Sequence, residues 1–515
     1  MSVGHAPRTI PQAGTGDVGR THYRVTFSVL LAAITTYSML QSLVNPVLPT
    51  IQASLHTTQS TVTWVLTAYL LAASVATPIL GRLGDMIGKK RVLVGVLVML
   101  AIGTLLAAVA TSIGVMIVAR VIQGAGGALL PLSFSIIRDE FPRGKVAGAV
   151  AACAAMLAVG GGLGIVLAGP IVDVLNYHFL FWIPLVFIVA SAVAAHFVIP
   201  ESEVRTSGRI SALPALTLTA WLVALLVAVS QGDAWGWISG RTLGLLALAV
   251  VFVVAWVVCE LRAEQPLVDM KMMRIPAVWT TNLVALLFGV GMYSIFAFLP
   301  EFLQTPNSAG YGFGASITAS GVFLLPMTAT MFVSGLLAAR VSARWGSKFA
   351  LIAGSALTVI PFALFAYAHD EKWQIYLASG VLGIGLGFAF AAMSNIIVDS
   401  VPMSQTGVAS GMNANIRTIG GSIGAAVMAS IVTSGAASDG LPKESGYTNG
   451  FAFLLAAAVL ATVAAVAIPS ARKVGARART LSAASGAPDT DRSTSIVIRN
   501  PEAALVPGAT LAERE

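Results

Sequence analysis

Two arginines lie inside long apolar segments of this chain, and each has amide side chains close by in sequence. Arg120 precedes Gln123 in ARVIQGAGGALLP, and Arg417 follows Asn413 and Asn415 in GMNANIRTIGGSIG. An arginine at the centre of a bilayer costs ~2.5 kcal/mol or more, so each is expected to face a polar cavity or a partner. The two segments therefore predict a polar site that contacts a substrate or couples its movement. The alternative is hydrogen bonding that joins neighbouring helices.

The first apolar segment carries a third polar set at helical spacing. Tyr37, Gln41 and Asn45 follow one another at intervals of four residues and lead into Pro46. Residues four apart share one face of a helix. We expect this face to line the same cavity as the two arginines.

Carboxylates are missing from the middle of every apolar segment. Asp173 lies about 42 Å along a helix from Lys145, and Glu301 about 36 Å from Ala277, so both are expected near the outer membrane surface. A cation in a low-dielectric cavity needs a carboxylate partner, and two guanidinium groups would repel it. The sequence thus predicts a neutral, zwitterionic or anionic amphipathic substrate. Asp173, Glu301 or a group on the substrate would carry any coupled proton.

The apolar segments themselves define the protein class. Hydrophobic residues make up 57% of the 515 residues and charged residues only 10%, whereas a soluble domain has ~25% charged residues. A helix needs about 20 apolar residues to cross a bilayer. Fourteen windows qualify, near 25–49, 61–80, 92–111, 113–137, 146–172, 178–199, 212–230, 241–261, 277–300, 315–339, 349–368, 374–398, 405–433 and 450–469. The sequence predicts an all-α integral membrane protein.

The distribution of Lys and Arg predicts the orientation. An even number of spans puts both termini on one side, and outside the spans only Arg241, Lys372 and Lys443 fall on the other side. Basic loops favour the cytoplasm, so we expect cytoplasmic termini in a cell (inner) membrane. Residues 1–24 would form a cytoplasmic tail, and residues 471–515, rich in Ala, Ser, Arg and Pro, a disordered one.

Two internal matches predict a repeated architecture. GRLGDMIGKK at 81–90 aligns with ARVSARWGSK at 339–348, and the glycine pattern at 160–164 aligns with the one at 420–424. Offsets of 258 and 260 residues indicate two six-helix halves, 25–199 and 277–470, with a linker of two additional spans at 200–276. Repeats with a site at their interface are typical of secondary transporters.

The segment GRLGDMIGKKRV concentrates charge between two apolar runs, and we predict a cytoplasmic loop between the second and third spans. Its glycines allow close backbone approach, and its aspartate can interact with cationic side chains or a helix N-terminus. A loop that is merely basic and sets orientation is the alternative. The residues predicted to act as a conformational switch are Gly81, Arg82, Gly84, Asp85, Gly88, Lys89, Lys90 and Arg91.

This segment resembles the GxLaDrxGrkxxl motif of the major facilitator superfamily, and ARVIQGAGG resembles its fourth-helix pattern RxxQGxgaa. The helix count resembles the 14-spanning drug:proton antiporter branch. The similarity covers about residues 24–470 and implies the fold of that family, in which the loop clips the two halves together. Where the antiporters have Asp-x-Thr-Ile-Val-Asn, this chain has LQSLVN, with Leu40 in place of the carboxylate.

The fifth span, AVGGGLGIVLAGPIVD, resembles the antiporter glycine/proline motif, although Gly164-Ile165 stands where the family has Gly-Pro. The resemblance favours export, and ordinary tight helix packing is the alternative. The residues concerned are Gly160, Gly161, Gly162, Gly164, Gly169 and Pro170.

We therefore expect a secondary active transporter that works by alternating access, with proton-coupled export of a hydrophobic or amphipathic drug, antibiotic or metabolite. A nutrient facilitator or importer and a membrane sensor without transport are the alternatives. The chain has no Walker A motif, and its six histidines form no pair with metal-site spacing. We expect no enzymatic activity, no cofactor or metal, no nucleic-acid partner, and a monomer in the lipid bilayer.

Overall fold

The computed structural model describes residues 23–57, 59–62, 64–201, 211–263, 266–402, 405–433 and 442–469. Apart from residues 23 and 24, the two predicted tails lie outside these ranges. Within them, fourteen helices are long and apolar enough to cross a membrane, and no strand occurs. The predicted fold class and span count are confirmed. The helices are α1 Tyr23–Leu43, α2 Trp64–Ile87, α3 Lys89–Ala108, α4 Ile113–Glu140, α5 Arg143–Val174, α6 Phe179–Val198, α7 Ala212–Trp235, α8 Gly240–Arg262, α9 Pro276–Gln304, α10 Ile317–Trp345, α11 Ser347–Tyr367, α12 Lys372–Ser400, α13 Thr406–Thr433 and α14 Glu444–Ala467.

Successive helices run in opposite directions, so α1 begins and α14 ends on the same side of the bundle. We call this side the terminal face and the other the opposite face. Contacts between helix ends are consistent with this order: Lys89 at the start of α3 pairs with Asp139 at the end of α4. On the opposite face, the Tyr311 hydroxyl, after α9, donates to the Pro442 carbonyl before α14.

The buried apolar side chains form three main clusters. The first lies among α1–α6 and the second mainly among α9–α12 and α14. The third joins α7 to α2, α9, α12 and α13, with Leu222 and Leu226 of α7 buried in it. The α8 helix adds the buried Trp256 to this cluster and exposes Val250 and Val254 on another side, side chains suited to lipid.

Hydroxyl contacts fix α7 against two other helices. Ser230 Oγ lies 2.8 Å from Thr67 Oγ1 of α2, and Trp237, just after α7, donates from Nε1 to Ser430 Oγ of α13 at 3.2 Å. The inserted helix pair therefore covers the side of the bundle where α2 and α13 meet.

Glycines bring α5 close to α1 and α10. A Cβ atom at Gly164 would lie 2.9 Å from Ser42 Cβ of α1, a distance that no real side chain tolerates. Gly169, on another side of α5, lies equally close to Thr318 of α10. In the second half, a Cβ atom at Gly424 would lie 2.6 Å from Val290 Cα of α9, so the two matching glycine segments perform the same packing.

The prediction of a loop at 81–92 was wrong. Residues through Ile87 complete α2, Lys89 begins α3, and Gly88 alone separates them, with φ +120°. Gly346, its counterpart in the repeat, has φ +89°, and both values favour glycine. The charged residues suggested an exposed loop, but Asp85 and Lys89 are buried among the ends of other helices. A buried backbone must have its hydrogen bonds satisfied, and a helix satisfies them internally.

The close approach of α5 to α1 predicts a large effect of a side chain at Gly164. We expect Gly164→Val to lower thermal stability in detergent, since overpacking costs ~1–3 kcal/mol. The control is Gly95→Val on α3, where a Cβ atom would meet nothing within 4 Å. Equal melting temperatures for the two variants would contradict the packing account.

Candidate functional site

A cavity of about 530 Å³ lies between the two halves. Its wall includes residues that follow α1, end α9 and begin α14, and it therefore reaches the opposite face. Arg120 and Tyr69 are among the polar residues of its wall. The lining residues include Gln41, Asn45, Leu66, Tyr69, Leu70, Arg120, Tyr293, Phe296, Pro300, Glu301, Gln304, Ser422 and Tyr447.

A second, small cavity of about 50 Å³ adjoins the first. The two share Gln41, Tyr69, Leu70 and Tyr293 in their walls. The small cavity also contacts Tyr37, Thr77, Asn415 and Arg417. Arg417 is the twelfth residue of the 28-residue helix α13, and at 1.5 Å per residue this polar floor lies near the middle of the bundle.

Arg120 is held by hydrogen bonds and an aromatic ring. Its Nε donates to the Val65 carbonyl at 2.9 Å, and one terminal nitrogen donates to Gln123 Oε1 at 2.8 Å. Gln123 in turn donates to Thr104 Oγ1 at 3.2 Å, and the guanidinium carbon lies 4.5 Å from the centre of the Tyr69 ring. The other terminal nitrogen has no partner among the described residues. Arg120 thus connects α2, α3 and α4 and keeps one donor group for a ligand.

The sequence of α4 explains how Arg120 reaches this position. The segment Gly124–Ala128 forms a 3-10 turn within the span. Gly124 and Gly127 lie against Ala73 and Thr77 of α2, and Gly126 against the Tyr37 ring of α1. Side chains at these glycines would push α4 away from α1 and α2.

Tyr37 and Tyr69 join α1 to α2 at the cavity floor. The Tyr69 hydroxyl donates to the Tyr37 hydroxyl at 2.5 Å. Both rings are almost completely buried, so the pair presents a hydroxyl edge inside an apolar wall.

Arg417 is bound less tightly than Arg120. Its guanidinium carbon lies 4.8 Å from the centre of the Phe390 ring, and it has no ion pair or hydrogen bond within the described part of the chain. Asn415 has both amide atoms buried without partners there. Buried polar groups without partners are costly, so a ligand or water that hydrogen bonds to them would be stabilised.

Glu301 contributes a carboxylate to the large cavity, close to the Tyr447 hydroxyl. It lies near the end of α9, at the depth that its sequence position predicts. Asp173 lies elsewhere: it accepts a hydrogen bond from Thr318 Oγ1 at 3.2 Å, where α5 meets α10, and it is not part of either cavity wall.

The structure brings most of the predicted cavity residues together, with two exceptions. Asn413 donates to Asn282 Oδ1 of α9 at 2.9 Å and lines neither cavity, because residues 413 and 415 project from different sides of α13. Gln123 also lines neither cavity, and its side chain accepts a hydrogen bond from Arg120 instead. The cavity walls also contain three tyrosines that the sequence did not predict, Tyr69, Tyr293 and Tyr447, because no pattern separates them from core aromatics.

At the terminal face, α2 closes against the beginning of α13. Asp85 is 2% exposed, and both its carboxylate oxygens lie 3.3 Å from the position that a Cβ atom would take at Gly407. A Cβ atom at Gly81 would lie 3.3 Å from the Gly407 carbonyl oxygen. The Asp85 carboxylate therefore faces the first turn of α13, where the helix dipole favours negative charge.

Arg138 reinforces this closure from α4. It donates to the Val401 carbonyl at 2.9 Å and to the Thr406 hydroxyl, and thereby ties the first half to the segment between α12 and α13. The connector between α8 and α9 adds a further contact, since Gln405 donates to Asp269 Oδ2 at 3.2 Å.

Of the remaining predicted residues, Arg82 and Lys90 are half-buried, and Arg91 pairs with Glu201 at 3.4 Å in an exposed position. Gly84 packs against Leu132 of α4. Gly160 lies against α1, as does Gly161 at a looser distance; Gly162 lies against α10, and Pro170 is exposed within a continuous α5.

Comparison with known proteins agrees with this architecture. The Major Facilitator Superfamily model matches residues 30–425. An uncharacterized MFS-type transporter of Mycobacterium tuberculosis is 28% identical over 83% of this chain, which matches 62% of that relative's length. Multidrug resistance protein 3 of Bacillus subtilis is 27% identical over 72% of each chain.

A uridine/deoxyuridine transporter of Lactococcus lactis is 28% identical over 82% of this chain and 90% of its own length. Among solved structures, the human organic anion transporter MFSD10 (TETRAN) matches with a TM-score of 0.63 and 16% identity, over 86% of this chain and 99% of that one. That likeness supports the fold.

The different surroundings of the two arginines predict different stabilities. We expect Arg120→Ala to lower the free energy of unfolding by ~1–3 kcal/mol, because it leaves Gln123 buried without its partner. Arg417→Ala removes no hydrogen bond and is expected to cost less. Thermal unfolding in detergent measures both, and a larger loss for Arg417→Ala would contradict these assignments.

Proposed function

Since this chain belongs to the Major Facilitator Superfamily, a family of transporters that are generally not enzymes, we propose that it exports an amphipathic small molecule by proton-coupled alternating access. The observation that carries the proposal is the large cavity, which reaches the opposite face and is separated from the terminal face by the contact of α2 with α13. Such a cavity presents its contents to one side of the membrane at a time.

The mixture of apolar and polar side chains in the cavity wall suits an amphipathic substrate. Aromatic and aliphatic side chains such as Leu66, Tyr293 and Phe296 form much of it, with a few polar groups among them. Ligand sites commonly combine a predominantly apolar wall with a small number of placed polar groups. Apolar contacts would supply affinity, and the polar groups would orient the ligand.

The charged residues in the cavity walls favour a neutral, zwitterionic or anionic substrate. The floor carries Arg417, which has no carboxylate partner among the described residues, and Arg120 offers one more donor. Glu301 is the only acidic residue in either described cavity wall. A negative group at the floor would be attracted, whereas a permanent cation there would be repelled.

Glu301 is the proposed site of the coupled proton. It lies in the cavity wall near the opposite face, beside the Tyr447 hydroxyl. We place the terminal face in the cytoplasm of a cell membrane, because Lys and Arg concentrate in the loops of that face. A proton would then reach Glu301 from outside while the cavity is open.

The relatives favour export and also supply the alternative. A relative from Streptomyces glaucescens is named a tetracenomycin C resistance and export protein, while the relative from Lactococcus lactis is named a transporter of uridine and deoxyuridine. Uptake of a small nutrient is therefore the second candidate function.

The experiment is accumulation and resistance in a host that lacks its own pumps, with a panel of amphipathic compounds. We expect lower accumulation in cells that express the protein, and loss of this difference with a protonophore or with Glu301→Gln. Higher accumulation of a nucleoside would favour the alternative. If the accumulation of every compound is unchanged, the protein does not transport the classes tested.

Matched dyes that differ only in charge test the role of Arg417. Loss of a hydrogen bond to a charged group costs ~1.5–3 kcal/mol, so Arg417→Ala is expected to weaken export of an anionic dye by about tenfold or more. A neutral dye should change less. Arg274→Ala, an exposed arginine on the α8–α9 connector, is the control. Export of a permanent dication that neither Arg120→Ala nor Arg417→Ala affects would overturn the proposed preference.

A further inference from the structure

Three side chains with metal-binding atoms meet on the opposite face, outside both described cavity walls. They are His369 and Asp370, between α11 and α12, and Glu444, the first residue of α14. One ligand atom from each lies within 4.8 Å of the others. His369 is 7% exposed, while the two carboxylates are exposed to solvent. The group thus has a buried nitrogen at its base and two oxygens at its rim.

The His369 ring is fixed in one orientation. Its Nδ1 lies 2.7 Å from the Phe365 carbonyl oxygen. A carbonyl oxygen only accepts hydrogen bonds, so Nδ1 carries a proton. The edge-to-face contact with the Phe302 ring, at 5.1 Å between centres, restricts rotation further. A second hydrogen bond of this kind is what orients metal-binding histidines in general.

The other ring nitrogen points at a carboxylate. Nε2 lies 3.3 Å from Glu444 Oε1. In a neutral ring whose proton is on Nδ1, Nε2 has a lone pair and no hydrogen. Two acceptors then face each other, and this contact is favourable only when a cation lies between them. The cation is either a second proton on the ring or a metal ion.

A metal ion fits the distance between the two acceptors. Zn²⁺ binds histidine nitrogen at ~2.0–2.1 Å and carboxylate oxygen at ~2.0–2.2 Å, so ligand atoms around a tetrahedral ion lie roughly 3.4 Å apart. The 3.3 Å between Nε2 and Oε1 is close to that value and also lies within hydrogen-bond range of a doubly protonated ring, so Zn²⁺ binding distinguishes the two cations. Glu371, the nearest other acid in sequence, caps α12 together with Gln374 and has this structural role instead.

We propose that His369, Asp370 and Glu444 form a binding site for a divalent transition-metal ion of the Zn²⁺ type. An imidazole ligand together with carboxylates suits Zn²⁺ better than Mg²⁺ or Ca²⁺, which prefer oxygen alone. Three protein ligands leave a position for water. The ion would join the α11–α12 turn to the start of α14, next to Pro442 and Tyr447 in the cavity wall.

Zinc binding to the purified full-length protein tests the site directly and does not depend on the proposed transport function. The protein is stripped with a chelator, and Zn²⁺ affinity is measured by competition with a chromophoric chelator. We expect one Zn²⁺ per chain, and weakening by at least about tenfold in His369→Ala and Glu444→Gln, since even the loss of an outer partner of a ligand costs that much.

His56→Ala, which removes an exposed histidine elsewhere on the chain, is the matched control and should bind as the wild type does. Asp370→Asn should weaken binding as well. Because His369 is buried, His369→Ala could fail to fold, and its size-exclusion profile reports whether it does. Glu444 is exposed, so Glu444→Gln is expected to fold and to test the site in either case. Absence of Zn²⁺ binding to the wild type, or equal binding by the wild type and Glu444→Gln, would overturn the proposal.

Discussion

The contact between the Asp85 carboxylate and the first turn of α13 is the interaction on which the two-sided arrangement depends. Both carboxylate oxygens lie 3.3 Å from the Cβ position of Gly407, and they make no hydrogen bond to a described residue. A charge at a helix terminus contributes about 0.3–1 kcal/mol and up to ~2 kcal/mol when partly buried. This is enough to favour one state of a transporter and too little to prevent the other.

Only the first half has a carboxylate at this position, although the two halves pack their glycines alike. In the repeat, Ala343 takes the place of Asp85, so the corresponding meeting of α10 with α5 has no such carboxylate. Glycines hold that side together instead, from Gly335 against Ala155 to Gly169 against Thr318. The side where α2 meets α13 has the charge-based contact and is covered by the inserted α7.

Much of this fold could be predicted from apolar length and small-residue spacing, because both follow directly from bilayer thickness and backbone approach. The helical structure around Asp85 could not be predicted, since a run of charged residues has the same appearance in a loop and at buried helix ends. The cavity was predictable where polar residues stand out, as at Arg417, and not where it uses Tyr69 or Tyr293. His369 and Glu444 are 75 residues apart, so only the fold reveals their contact.

The most direct test of the central claim is a distance measurement between spin labels on the two halves at the terminal face. Labels at Arg91→Cys and Arg344→Cys, in a chain whose Cys153 and Cys259 are replaced by alanine, report its opening. Asp85→Asn keeps the shape and removes the charge. We predict that it shifts the distribution towards longer distances, by about two- to fivefold in population ratio for 0.3–1 kcal/mol. Glu371→Gln, which changes a carboxylate that contacts only its own half through Gln374, should not shift it. Identical distributions for the wild type and Asp85→Asn would contradict the account.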